Sequence, residues 1–228
     1  MKNLAILAID AATEACSVAL SYQGKQYGQF EICPQQHSVK ILPMVDEVLK
    51  QAGIKLQQLD ALAFGCGPGS FTGVRIGVGV AQGLAFAADL PMIPVSSLQA
   101  MAQGVWRLHQ ANVIHCAIDA RMGEVYCADF IVKDGVVCQQ GDPQVLAPQQ
   151  VEVANHSVVA GSGWQTYEQQ LGNDVTGIVK SDILFPDAQD MLATASAQFM
   201  LGHTVRASEA TPLYVRDTVT WKKLPGRG

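Results

Sequence analysis

Charge is scarce in this sequence, and the usual patterns of metal and nucleotide sites are missing. Asp, Glu, Lys and Arg make up 15% of the 228 residues, with a formal net charge of −5. An acidic chain of this kind does not read as a nucleic-acid binder acting alone. The histidines at 37, 109, 115, 156 and 203 form no H-x-x-x-H or H-E-x-x-H pair, so each is read as structural rather than as a metal ligand. The cysteines at 16, 33, 66, 116, 127 and 138 include no C-x-x-C pair. They read as small apolar residues in a reducing, cytoplasmic compartment. No uninterrupted apolar run nears the ~20 residues of a membrane span. Asp10 also interrupts the first apolar run too early for a signal peptide. No Gly-Lys-[Ser/Thr] follows a glycine at phosphate-loop spacing, and the dinucleotide fingerprint fails because Ser70 and Thr72 stand where its last glycine belongs.

What the chain does have is apolar residues, 49% of the total, and a repeat. "LAILAID" (4–10) reads as a buried strand, followed by a polar turn and two more strands, 16–22 and 25–32. "VIHCAID" (113–119) restates it, so that Asp119 falls where Asp10 fell, and two strands split by Lys133-Asp134-Gly135 again follow. "VVAGSGW" (158–164) likewise echoes "LAFGCGP" (62–68). These echoes predict two similar α/β halves, 1–108 and 109–228. The spacing of Val39, Leu42, Val45, Leu49 and Ala52 predicts a helix ending at Gly53, with a kink or late start at Pro43. A second helix is expected over about 72–88 and a third from about Asp187. The last 28 residues carry a net +3 against −8 for the rest, a basic tail that includes Lys222, Lys223 and Arg227.

The stretch "GCGPGSFTGVRIGVGVAQGLAF" (65–86) is the most unusual. Its loop either holds an anion at a helix N-terminus, with Ser70 or Thr72 as the cap, or is only a tight turn. Gly73, Gly77 and Ala81 form one i, i+4 row along the following helix, and Gly79 and Gly83 another. Each interior glycine costs about 1 kcal/mol relative to alanine, so a close neighbour is expected to compensate. Two rows suggest two neighbours, one of them another chain. On this reading Gly77→Leu removes partner binding and leaves the fold intact.

"ILAIDAATEACSVAL", "HSVKILPMV", the 65–86 stretch, "PVSSLQAMA", "IDARMGEVY" and "PLYVRD" together resemble the TsaB (YeaZ) family of bacterial tRNA threonylcarbamoyladenosine biosynthesis. The resemblance spans nearly the whole chain. It implies the actin/Hsp70/sugar-kinase (ASKHA) fold, two duplicated ribonuclease-H-like halves with mixed sheets flanked by helices. It also implies kinship with TsaD, the subunit that transfers threonylcarbamoyl to the adenosine next to the anticodon. Where TsaD has V-N-H-L-x-x-H, this chain has Val95-Ser96-Ser97-Leu98-Gln99-Ala100-Met101, without the two metal-binding histidines. Where superfamily ATPases have D-x-G-T, it has Asp10-Ala11-Ala12-Thr13.

The resemblance therefore implies a non-catalytic subunit with no metal, no cofactor, and at most weak or vestigial nucleotide binding at Asp10, Thr13, Gly67, Gly69, Ser70, Thr72 and Asp119. The partners it implies are TsaD, TsaE, and a second copy of the chain when TsaD is absent. tRNA would be contacted only indirectly, through the complex, and no membrane is implied. The docking surface would be the helices at about 38–52 and 72–88, carrying Val39, Leu42, Val45, Leu49, Gly73, Val74, Ile76, Gly77, Val80, Ala81 and Leu84. A peptidase reading lacks its metal site. The alternative is a free-standing ASKHA-type ATPase or small-molecule kinase.

Overall fold

A computed structural model describes residues 4–172 and 175–216. Lys222, Lys223 and Arg227 of the basic tail lie outside the described residues. The first sheet is built from β1 (Ile6–Asp10), β2 (Ala15–Tyr22), β3 (Lys25–Ile32), β4 (Ala61–Gly67) and β5 (Met92–Ser96). The second has β6 (Val113–Arg121), β7 (Glu124–Lys133), β8 (Val136–Leu146), β9 (Val158–Ala160) and β10 (Val179–Lys180). Strand order is β3-β2-β1-β4-β5 in one and β10-β9-β6-β7-β8 in the other, the same arrangement read from opposite edges. In each sheet the first three strands form an antiparallel meander, and the next two join parallel to the first. The expected duplication is thus present as two mixed five-stranded sheets with the same strand plan.

Alternation along β1 explains the layers. Leu7 and Ile9 point to one face, where α1 (His37–Ala52) and α2 (Phe71–Ala88) pack through Ile41, Met44, Val45, Val48, Val74, Val78, Ala81 and Ala85. Ile6 and Ala8 point to the other, where Ala19, Ala61 and Ala63 keep the surface low. Small side chains there let α5 (Ala188–Met200) approach closely through Ala188, Met191, Leu192 and Ala195. The α1 stripe facing the core is thus Ile41-Met44-Val45-Val48, not the Val39-Leu42-Val45-Leu49 row singled out from spacing. The helix also runs without a late start from His37 through Pro43, and Gly53 closes it in the left-handed conformation at φ 69°.

Helices cross between the halves. α3 (Ser97–His109) follows directly on β5 yet packs on the second sheet, with Leu98, Met101, Ala102 and Val105 against Ile114, Cys116, Ile118 and Phe130. α5, which follows the second sheet, covers the first. The short α4 (Ser162–Thr166) brings Trp164 to the opposite face of the second sheet. Between α3 and α5, Arg107 holds the buried Asp190 with two bonds, Nε–Oδ1 at 2.7 Å and Nη2–Oδ2 at 2.9 Å. Burial pushes the Asp190 carboxyl up and Arg107 pulls it partly back. Arg107→Ala leaves that carboxylate unpaired. It is expected to cost roughly 2–3 kcal/mol, below the figure for a fully buried pair because Arg107 is half-exposed. A urea melt measures it.

The segment after α5 returns to the first half. Val205 and Met92 exchange backbone bonds of 2.8 and 2.9 Å, the Gln82 amide donates to the carbonyls of Ala207 and Ala210, and Leu213 N–H donates to Cys66 O at 2.8 Å.

Candidate functional site

The glycine loop is filled by the chain's own β1–β2 turn. Ser70 caps α2 by accepting from Gly73 N–H at 3.3 Å, while its own N–H donates to Ala12 O at 2.7 Å. A methyl group on Gly69 would overlap the Ala12 carbonyl oxygen, one on Gly73 the Ala11 carbonyl oxygen, and one on Gly65 the Asp10 carboxylate. At Gly77 it would stand 3.4 Å from the Ala11 methyl. The row Gly73-Gly77-Ala81 therefore compensates its helix cost inside the chain, against a turn some 60 residues earlier. This corrects the expected role of Gly77. A leucine there would be driven into Ala11 and disturb the fold itself. Gly79 and Gly83 meet nothing within 4 Å and remain open.

The carboxylates are similarly committed. Asp10 is buried, accepting from Ala12 N–H at 3.0 Å and from the Ser97 hydroxyl at 3.4 Å. Burial is the main reason its carboxyl is pushed up to about 7, with the bonds from Ala12 and Ser97 opposing. Thr13 is buried and accepts from Ala15 N–H, and its carbonyl lies 2.7 Å from His37 Nε2. Asp119 accepts from the Arg121 N–H at 2.9 Å, from the Arg121 guanidinium at 3.0 Å and from Tyr167 OH at 3.3 Å. Arg121 also reaches Glu14 of the first half at 2.8 Å. This ion pair bridges the mouth between the two turns. Gly67, at φ 100°, lies against Leu213 O, and Thr72 is exposed. Two surface grooves flank Phe30 and Asp187 at the free edge of β3, and no residue of the glycine loop lines either.

The positions of the two missing histidines are core positions here. Ser97 bonds Asp10, and Met101 packs in the core of the second sheet. Among the described residues no three His, Cys, Asp or Glu side chains are grouped to hold a metal ion.

The outer face of α1 and α2 is different in kind. Val39 is 65% exposed, Leu42 49%, Phe71 65% and Phe86 83%. Leu49, Ile76, Val80 and Leu84 are half-buried, and Leu49, Val80 and Leu84 pack against the core. α2 is 18 residues long and apolar enough to pass for a membrane span, yet only 33% of it is buried. Its core face is fixed on the sheet, so what remains is an uncovered apolar surface. Of the eleven interface residues expected from sequence, Val45, Gly73, Val74, Gly77 and Ala81 face the chain's own interior. Phe71, Arg75 and Phe86 were not singled out from sequence. With Gly79 and Gly83, the second glycine row already read as facing another neighbour, they recur about every fourth residue along α2, and all five are exposed.

The chain is 48% identical to the tRNA threonylcarbamoyladenosine biosynthesis protein TsaB of Haemophilus influenzae, over 100% of both chains. It belongs to the TsaB (YeaZ) family. The Escherichia coli TsaB is 49% identical over 97% of this chain and 99% of its own. YeaZ from Pseudomonas aeruginosa superposes with a TM-score of 0.87 at 40% identity, covering 92% of this chain and 99% of that one. The wider family model described as TsaD, tRNA N6-adenosine threonylcarbamoyltransferase, matches residues 26–217. TsaB-family membership and the TsaD match agree with a fold shared between the two.

Proposed function

We propose that this chain acts in tRNA threonylcarbamoyladenosine biosynthesis as the non-catalytic partner of TsaD, docking through the outer face of α1 and α2. The observation that carries the reading is the uncovered apolar surface of Val39, Leu42, Phe71 and Phe86. Soluble monomers rarely leave a large apolar patch bare. Support also comes from the glycine loop, filled by the Ala11 and Ala12 carbonyls, and from the Arg121–Glu14 pair that joins the two turns. The chain would scaffold threonylcarbamoyl transfer to the adenosine next to the anticodon in the cytoplasm. TsaE joins the assembled pair, and two copies of the chain cover the same face for each other when TsaD is absent. No nucleotide or metal cofactor is assigned to the chain, and tRNA is reached through the complex.

The test is a titration of the full chain with purified TsaD, wild type against Leu42→Glu and Phe86→Glu. Both positions are exposed, so thermal melts should be unchanged while affinity falls at least ~30-fold, the scale of a hot-spot loss. Undiminished affinity in both variants overturns the docking face. Calorimetry of the isolated chain with ATP and magnesium should give no binding heat; a clear isotherm favours the free-standing ATPase instead.

A further inference from the structure

Arg75 projects outward from the second turn of α2. Its guanidinium carbon lies 3.2 Å from the centroid of the Phe71 ring and 5.2 Å from that of Tyr214. One guanidinium N–H donates to Phe71 O at 3.3 Å. Among the described residues Arg75 takes part in none of the ion pairs. An arginine presents five donors in a rigid fork, so most of this one faces outward without an acceptor. Phe71 is exposed and Tyr214 is 55% exposed, and the group is continuous with the Gly79-Gly83-Phe86 face.

The backbone leading to Tyr214 is anchored on the first half of the chain. The bonds of Val205 to Met92, of Gln82 to Ala207 and Ala210, and of Leu213 to Cys66 tie the 205–213 strap along the first half. The backbone leading to Tyr214 is therefore anchored as far as Leu213 before any partner arrives, which lowers the ordering cost of binding. Tyrosine and arginine dominate the residues that carry binding energy at interfaces. Covering an arginine with an apolar surface is unfavourable unless the covering surface supplies a counter-charge. A planar guanidinium lying over aromatic rings is suited to a bidentate carboxylate.

We propose that Phe71, Arg75 and Tyr214 form an aromatic-clamped arginine anchor that receives an aspartate or glutamate side chain of the docking protein, making the C-terminal strap part of the interface. This rests on the partner reading above. A protein carboxylate is favoured over an RNA phosphate because the anchor opens onto an apolar face of a chain with net charge −5.

The experiment measures the dissociation constant of the full chain with TsaD for wild type, Arg75→Ala, Arg75→Lys, Tyr214→Ala and the Arg75→Ala/Tyr214→Ala double variant. Arg75→Ala is expected to weaken binding on the order of 30-fold and to flatten its salt dependence. Arg75→Lys, which keeps the charge but loses the fork and the stack, should recover only part. The double variant should lose less than the product of the single losses, as coupled residues do. All four should melt at the wild-type temperature. Wild-type affinity for Arg75→Ala and Tyr214→Ala, in an assay where Leu42→Glu still disrupts binding, overturns the anchor and leaves the docking face standing. Failure of the wild-type chain itself to bind TsaD sinks both. If Arg75→Ala leaves the heterodimer intact but weakens tRNA binding by the assembled complex, the acceptor is RNA phosphate and the carboxylate assignment is wrong.

Discussion

Gly73→Val is expected to destabilise the protein severely, whereas Gly79→Ala, six residues along the same helix, is expected to stabilise it. A side chain at Gly73 would overlap the carbonyl oxygen of Ala11, a backbone atom at the end of β1 that cannot turn aside. Overpacking of this kind typically costs 1–3 kcal/mol, more where backbone must shift. β-branched valine recovers little helix propensity to offset it. The melting temperature should fall by roughly 10 °C, using about 2–4 °C per kcal/mol for a chain of this size. Gly79 and Gly83 have open space around them, so alanine at either gains about 1 kcal/mol of propensity and raises the melting temperature by about 2–4 °C. Equal effects at positions 73 and 79 in a calorimetric scan would mean that the β1–β2 turn does not seat on the helix as described.

Asp10→Asn should change how stability depends on pH. The folded-state pKa of Asp10 is raised to about 7, chiefly by burial, while an unfolded aspartate titrates near 3.9. Between these values the folded protein binds the extra proton, so stability falls as pH rises from about 4 through 7 and levels off above. At 1.36 kcal/mol per unit, the loss between pH 5 and 8 is roughly 3 kcal/mol. Asparagine has no charge to bury, and its carbonyl can still accept from Ala12 N–H. The variant should therefore gain on wild type by about that amount from pH 5 to 8. Parallel melting curves across that range for the two proteins would show that Asp10 does not titrate there.

The duplicated plan was legible because each half begins with a largely apolar strand that reaches an aspartate at or near its end, Asp10 in β1 and Asp119 in β6, followed by alternating strands and turn residues. The end of α1 at Gly53, Ser70 as one of the two candidate caps of α2, and the start of α5 near Asp187 were legible for the same local reason. What was not legible is which neighbour each apolar or glycine row meets. Helix α1 carries two apolar rows, and spacing alone selected Val39 and Leu42, which face outward, ahead of Ile41, Met44 and Val48, which face in. Along α2 the cost of Gly73 and Gly77 announced a close approach without saying that the Ala11–Ala12 turn makes it. That contact joins residues some 60 positions apart, and no local pattern encodes such a pairing. The strap presenting Tyr214 and the exchange of α3 and α5 between the sheets lie beyond periodicity for the same reason.

The placement of α5 has a consequence for synthesis of the chain. The inner face of the first sheet, Ile6, Ala8, Ala61, Ala63, Ile93 and Val95, is covered by residues of 188–200, and Ser17 Oγ accepts the Ala188 N–H at 2.9 Å across 171 positions. A ribosome adding ~5–20 residues per second completes β5 roughly 5–20 s before α5 leaves it. For that interval the nascent first half holds a finished sheet with one oily side bare. The alanines that later admit the helix also keep that waiting surface shallow, with few large side chains for a stray neighbour to grip.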